Sequence, residues 1–483
     1  MPSSASESPR LWLGGLALAL FAMALLHISA WSSHPPDIDP INFLSALRHY
    51  SVSNDAPHAP GYPLYVGLAW LAQHPLGATC AYQSVNLAML LGTSLLLTYI
   101  GAQLDSIQAG SVAAVLFAAH PLIWAATVIP ECYIVDAFGG AALVACGLAV
   151  SRGEKRSLAL FIALEFTLGL MRPTSCLLLL PAGLAAIWLS GAAHGDLPAI
   201  RWRRILIAAG GTAPALLTAY LLTVMLAGGP TLYHAAADRV MGQAFRSSSV
   251  LGGAPLRAHA AMVAHLLTWF AFWSAPVLLA LALYVRRGCT SNGFAMGLLT
   301  SSWLLPALAF YTLVYYLKPT YQIIFQPALC LLLGWSITHL ARNRLQSIAI
   351  SLAVLLALGQ GFFWLGNERL PQPLYRLTHH YFNARDTAWD RLEVAVAKAP
   401  ADRLIVYVDW PGVSAQALRL IRPDGIFAVQ RESGELQLND NGTWLPVGQG
   451  NLARYTSSLV LSNDNGTGRL SLAGPPLKQP PGR

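Results

Sequence analysis

Charge is scarce in this sequence. Aspartate, glutamate, lysine and arginine together supply 11% of its 483 residues, and 55% are apolar. A soluble domain carries roughly a quarter charged residues. With a positive mean hydropathy, that deficit excludes an ordinary soluble protein and describes a polytopic membrane chain. Cysteine is sparse as well. Cys80, Cys132, Cys146, Cys176, Cys289 and Cys330 form no CxxC pair and mostly fall inside apolar runs, so neither a metal knuckle nor a disulfide framework is implied. There is no internal repeat, Walker motif or GxGxxG unit, which leaves an ATP-driven pump without support. The net charge of +8 does not point to nucleic acid, because the basic residues are dispersed among short loops.

What is present is a series of apolar runs. A bilayer-spanning helix needs about 20 mostly apolar residues. On that measure spans are expected near 11–30, 82–100, 108–126, 134–150, 157–171, 174–190, 205–227, 261–284, 292–316, 321–340 and 346–365. The first run exceeds a signal-peptide core of about 7–15 residues, and a retained helix is expected there. Arg10, Arg152, Lys155, Arg156, Arg201, Arg203, Arg204, Arg286, Arg287, Arg342 and Arg344 all fall on one side when these eleven runs each cross once. Basic loops mark the cytoplasmic side, so the N-terminus is expected inside. Residues 31–81, the corner at Glu131, Arg172, residues 228–260, Lys318 and the C-terminus are then outside. The fold class expected is an all-α polytopic membrane domain over 1–365 with a small α+β extracytoplasmic domain over 366–483. The Gly/Pro-rich tail of that domain is expected to be disordered.

The first outer loop carries the densest chemistry. Between His34 and Tyr65 it holds Asp37, Asp39 and Asp55, and a His58-Ala59-Pro60-Gly61 corner. Carboxylates gathered just outside a first transmembrane helix suit a proton-abstracting site for a lipid-borne substrate. Pro40 is expected to begin an interfacial helix over 41–50, with Asp39 either capping it or pointing into a cleft. The apolar segment Tyr62 to Leu71 is too short to span and is expected along the outer interface. His58 either touches a phosphate or shapes the turn.

Further candidates lie on the same side. Glu131 and Tyr133 form a second outer corner, where Glu131 either works beside Asp39 or reaches to water. Glu165 lies deeper, where a paired structural role is expected. Arg172, Arg239, Arg246 and Lys318 run against the charge bias of outer loops, and a phosphate leaving group wants fixed positive charge where negative charge develops. Arg172 is the first choice among them. Tyr321 shares the Lys318 turn.

Asp39-Pro40-Ile41-Asn42-Phe43 followed by His58-Ala59-Pro60-Gly61-Tyr62-Pro63-Leu64-Tyr65 resembles the Asp-Ser-Gly-Glu-Phe and His-Pro-Pro-Gly-x-Pro-Leu-Tyr signature of the DUF2723 group. These are the protein O-mannosyltransferase-like membrane proteins of the GT-C superfamily. Pro130-Glu131-Cys132-Tyr133 resembles their Glu-x-Tyr corner, and Leu170-Met171-Arg172-Pro173-Thr174 their Leu-Arg-Pro-Thr segment. The likeness covers residues 10–340. It departs where the group's glutamate falls on Asn42 and a proline on Ala59. It implies an inverting glycosyltransferase using a polyprenyl-phosphate-linked sugar donor and a glycan, lipid or protein acceptor. Asp39 would be the base. Taken over the whole sequence, the candidate substrate contacts are Asn42, His58, Tyr133, Arg172, Arg239, Arg246, Lys318 and Tyr321. A divalent cation is compatible with Asp39 and Glu131 but is not readable.

Two other readings stay open. A transporter or flippase of lipid-linked glycans would line several mid-membrane spans with ionisable residues. A non-catalytic scaffold would leave the Asp39 loop without a purpose. A bacterial inner membrane is the expected location, with the C-terminal domain periplasmic.

Overall fold

The computed structural model describes residues 9–397 except 153, 288–292 and 342–343, together with 404–408, 418, 420–422, 427–430, 436–440, 443–446, 458–463 and 470–473. Among the described residues eight helices are long and apolar enough to cross a membrane, namely Trp12–Ser29, Ala78–Leu104, Pro173–Ala193, Pro198–Leu226, Leu256–Arg286, Phe294–Leu313, Pro319–Leu340 and Leu345–Leu365. Ile107–Ala118 and Pro121–Thr127, bent by 53°, make a ninth when counted as one span. The other two expected runs are the 16-residue helix Ile134–Ala149 and the 18-residue helix Glu154–Met171, shorter or more charged than the rest. The protein is thus a multi-pass membrane protein.

Proline sets several starts. It opens the helices at Pro63, Pro121, Pro173, Pro198 and Pro230, where its missing N–H costs nothing and its fixed φ suits the first turn. The bend between 118 and 121 is closed by the chain itself. His120 Nδ1 accepts from the Leu122 N–H, Trp124 Nε1 donates to the Ala118 carbonyl, and Gln360 Nε2 donates to the Ala119 carbonyl. Satisfying these groups internally is obligatory where lipid offers no partner.

The bent pair is the centre of the molecule, with 109–118 and 121–127 buried throughout. Close approach depends on small residues: a Cβ on Gly101 would stand 2.3 Å from the Gly110 Cα, and one on Gly334 2.6 Å from the Ala109 carbonyl oxygen. Lipid-facing helices form the periphery. In Leu345–Leu365 11% of the apolar window is buried, against 83% in Pro319–Leu340, which places the first against lipid and the second in the core.

The loop after the first helix differs in register from expectation. Its helix runs Ile38–Arg48, beginning before Pro40, and Asp37 is the N-cap, its Oδ1 accepting from the Ile38 N–H. Asp39 therefore lies in the first turn with its carboxylate not engaged in capping. The chain then turns at Gly61, whose φ of +100° and whose neighbour, the Tyr50 hydroxyl 2.8 Å from a would-be Cβ, admit no side chain. Helix Pro63–Leu76 follows, ending five residues beyond the interfacial segment expected.

After the last span, helix His379–Ala397 packs back on the first loop. Asp386 accepts from the Ser32 hydroxyl at 2.7 Å and from the Ser33 and His34 N–H groups at 2.9 and 3.0 Å. Six strands then pair in the order Thr443–Pro446, Leu436–Asp440, Phe427–Gln430, Leu404–Val408, Ser458–Asn463, Leu470–Ala473. Leu404–Val408 is parallel to both neighbours, and the outer pairs are antiparallel. Within the tail expected to be disordered, Leu470–Ala473 is one of these strands; residues 474–483 lie outside the described residues.

Candidate functional site

Three carboxylates meet one ammonium on the outer-loop side. Lys318 Nζ hydrogen-bonds Asp39 Oδ2, lies 3.4 Å from Glu131 Oε1 and 3.7 Å from Asp37 Oδ2. Three separate pieces of chain supply these four groups. Asp37 and Asp39 sit at the start of helix Ile38–Arg48, and Glu131 in the corner between Pro121–Thr127 and Ile134–Ala149. Lys318 immediately precedes the turn at Pro319. Glu131 is held by its backbone, its carbonyl accepting from the Tyr65 hydroxyl at 2.9 Å.

Two faces enclose the cluster. His58 Nδ1 stands 3.8 Å from Asp39 Oδ1, and His58 Nε2 is 3.2 Å from the Tyr62 hydroxyl. On the other side Tyr133 carries two cations on its ring, Arg172 with Cζ 4.4 Å and Lys318 with Nζ 5.9 Å from the centroid. Tyr321 packs on Tyr133 at 5.5 Å and stacks on Tyr311 at 5.7 Å.

These surroundings push the two central carboxyls apart. Burial alone raises Asp39, but the Lys318 ammonium, His58 and Arg172 outweigh it and hold the group below the ordinary aspartate range. Burial also raises Glu131, and there it wins over Lys318, aided by Asp39 and Asp37, lifting the carboxyl to about 7. Lys318 itself is held well above its ordinary value: burial opposes this, and Glu131, Asp39 and Asp37 overcome it. Adjacent groups separated in this way suit complementary acid–base roles.

A cavity of about 610 Å³ opens beside the cluster, with Asp37, Glu131 and Lys318 in its wall. Asp39 is joined to that cavity through Lys318, while Tyr133 and Arg172 stand behind Lys318 and do not line it. Arg376, Arg385 and His265 also line it. Sequence reasoning passed over these three, although Arg376 and Arg385 carry the same signal that singled out Arg172, positive charge on the expected outer side.

Other candidates fall differently. Arg172 is buried and its Nη1 lies 3.2 Å from Asp136 Oδ2, while the Ser175 hydroxyl donates to Asp136 Oδ1. Asp136 was overlooked; an acidic residue inside an apolar run was the available sign. Arg239 donates to the Ser53 carbonyl and to Asp55 at 3.0 Å, and Arg246 grips Asp238 at 2.7 and 3.1 Å. Neither is brought against Lys318. Asn42 is buried with Oδ1 lacking a hydrogen-bond partner. Glu165 departs from its expected paired role, being buried with both carboxylate oxygens unpartnered. Among the described residues no group of three or more His, Cys, Asp or Glu side chains is arranged to hold a metal ion. Lys318 stands between the carboxylates where a cation would sit.

No family model and no curated protein matches the sequence. Solved structures do match in three dimensions. The crystal structure of ArnT from Cupriavidus metallidurans bound to undecaprenyl phosphate is 12% identical and superposes with a TM-score of 0.56, over 87% of this chain and 93% of that one. The chain has the GT-C fold. ArnT in the apo state is 13% identical with a TM-score of 0.47, over 87% and 94% of the two chains. The Archaeoglobus fulgidus oligosaccharyltransferase in complex with zinc and sulfate is 13% identical with a TM-score of 0.45, over 81% and 60%. Within the GT-C fold of this chain, the Lys318 cluster lies where the loop after the first helix meets the corners at Glu131 and Lys318.

Proposed function

We propose that this chain is an integral membrane glycosyltransferase that moves a sugar from a polyprenyl-phosphate-linked donor to an acceptor hydroxyl on the outer face, with inversion. The observation that carries this reading is the convergence of Asp39 and Glu131 on Lys318 beside a polar cavity, in a chain of GT-C fold. Undecaprenyl phosphate in the ArnT structure supports the class of carrier. The DUF2723 likeness of the first-loop motif belongs to the same proposal.

At rest, Lys318 neutralises Asp39. A donor phosphate competes for that ammonium and draws it away, so Asp39 loses the charge that weakens it as a base. The acceptor oxygen attacks the anomeric carbon from the face opposite the phosphate and gives its proton to Asp39. The bond from that carbon to the phosphate oxygen breaks, and the lipid phosphate leaves with the electron pair. Lys318 holds the departing charge. Arg172, matched by Asp136, adds positive potential through the face of Tyr133. Glu131, near half ionisation at neutral pH, orients the acceptor hydroxyl, and His58 positions Asp39.

Asp39→Asn tests this. It keeps shape and removes the base, so turnover of a polyprenyl-phosphate sugar by purified enzyme should fall about 10²–10⁴-fold, with membrane insertion unchanged. Asp37→Asn and Asp55→Asn should remain active. Wild-type turnover in Asp39→Asn overturns the assignment. The transporter alternative asks for charges along several spans. Here the buried Glu131, Asp136 and Arg172 gather at one end, Arg204 pairs with Asp196 beyond the other end of helix Pro173–Ala193, and Glu165 lies between.

The proposal includes eleven crossings over residues 1–365, a cytoplasmic N-terminus, an extracytoplasmic α+β unit over 366–483, and a bacterial inner membrane. Reporter fusions after Arg344 and after Arg385 should report opposite sides; agreement between them removes this topology.

A further inference from the structure

A second cavity, of about 360 Å³, lies between the bend at His120 and helices Leu256–Arg286, Gln326–Leu340 and Leu345–Leu365. Its wall is mostly leucine, proline and phenylalanine, and it opens towards lipid, with Phe272 45% and Leu358 67% exposed at its edge. Three polar side chains break that apolar wall, and each presents an N–H. Trp273 is 8% and Gln326 1% exposed, and Trp273 Nε1 and Gln326 Nε2 have no hydrogen-bond partner among the described residues. His120 packs on Trp273 with ring centroids 4.9 Å apart. Its Nδ1 already accepts from the Leu122 N–H, so the neutral ring carries its proton on Nε2.

The carbonyls freed by the helix bend are answered by Trp124 and Gln360, which leaves a surplus of donors at this depth. In hydrocarbon such groups are retained only where something satisfies them. A polyprenyl chain, having no oxygen along its length, cannot.

We propose that this groove binds an acyl-ester membrane lipid, with an ester carbonyl accepting from Trp273, Gln326 and His120. The spacing supports a lipid whose head reaches the upper cavity. Pro121 lines the groove and Ala125 the upper cavity; His265 lines the upper cavity and Trp273 the groove. At about 1.5 Å per helical residue these pairs are ~6 and ~12 Å apart along their helices, and the nearer pair matches the reach from a phosphate through glycerol to an ester carbonyl. The site stands on the membrane fold and does not depend on the transferase reading.

Native mass spectrometry of the full-length chain in detergent tests it, with dioleoyl phosphatidylglycerol, its dialkyl-ether analogue and undecaprenyl phosphate as probes. The diester lipid should be retained about tenfold more tightly than the ether, the loss expected when a good acceptor is removed from buried donors. Gln326→Leu and Trp273→Phe should each abolish most of that preference and leave ether affinity unchanged. Equal retention of diester and ether by the wild-type protein overturns the proposal, and needs no variant to fold. So does displacement of the diester by undecaprenyl phosphate with the same two substitutions weakening the latter, which would make the groove a carrier-tail site.

Discussion

Two regions on the expected outer side each pair cations with carboxylates, and they are built in opposite ways. Around Lys318, one ammonium is shared by Asp39, Glu131 and Asp37, with Lys318 28% and Glu131 5% exposed. Around Arg246, one guanidinium holds one carboxylate, Asp238, in a fork that leaves both side chains more than half exposed. The second arrangement is complete in itself. An exposed pair of this kind contributes little to stability and is screened by salt. The first has more negative than positive charge in a partly dry setting, so its members hold one another away from their ordinary ionisation.

Substitution at Lys318 should separate the two regions most widely. Lys318→Ala leaves Asp39 and Glu131 facing each other without a cation, and turnover should drop by about 10²-fold or more, in the range of removing a main electrostatic stabiliser. Lys318→Arg should restore part of it, since a fork replaces a point charge. Single-turnover assays with a polyprenyl-phosphate sugar measure both. If Lys318→Ala matches wild type while Arg246→Ala does not, the ranking of the two regions is reversed.

Arg172→Ala should have a smaller effect on chemistry than Lys318→Ala, because Asp136 already matches the Arg172 charge. It removes a buried partner, so the thermal midpoint in detergent should fall as well. Arg172→Lys should recover only part of either loss, because a flexible ammonium does not reproduce the planar guanidinium that lies over the Tyr133 ring beside Asp136.

The pH profile sharpens the same contrast. Glu131 is lifted to about 7 by burial and its acidic neighbours, so its proton-dependent contribution to folding is present below its ordinary value and is lost as pH rises through about 7. Turnover should show a limb near pH 7 that disappears in Glu131→Gln. Asp39, held below its usual range, should contribute no limb there. A limb at 7 that survives Glu131→Gln assigns it to another group.

At the small end, Arg246→Ala and Arg239→Ala should change turnover by less than about threefold and leave the thermal midpoint in detergent close to wild type, as exposed pairs do. A large loss in either would bring the loop over 228–260 into the site.

Much of the architecture was legible because it is written locally. Apolar runs long enough to span, proline at the first turn of a helix and the Gly61 corner are properties of neighbouring residues, and the helices appear where those signals stand. The boundaries slipped where two local signals competed. Pro40 promised a helix start, yet Asp37 supplied the cap and the helix began at Ile38. Asp39 and Glu131 were recognisable as carboxylates in outer corners, and Lys318 as a misplaced cation.

What the sequence determined by itself is a chain that crosses a membrane many times, with its chemistry concentrated in one loop and a few corners, because periodicity and hydropathy are short-range quantities. Which charges meet was decided only in three dimensions. Lys318 and Asp39 are 279 residues apart in the chain and share a hydrogen bond, and Arg172, the first choice for the phosphate, turned inward to Asp136. The bent central helices and their glycine contacts bring the corners together. The packing that follows sets Lys318 against Asp39, which holds it ionised in spite of burial, and lets burial lift Glu131, a difference that no residue type carries alone.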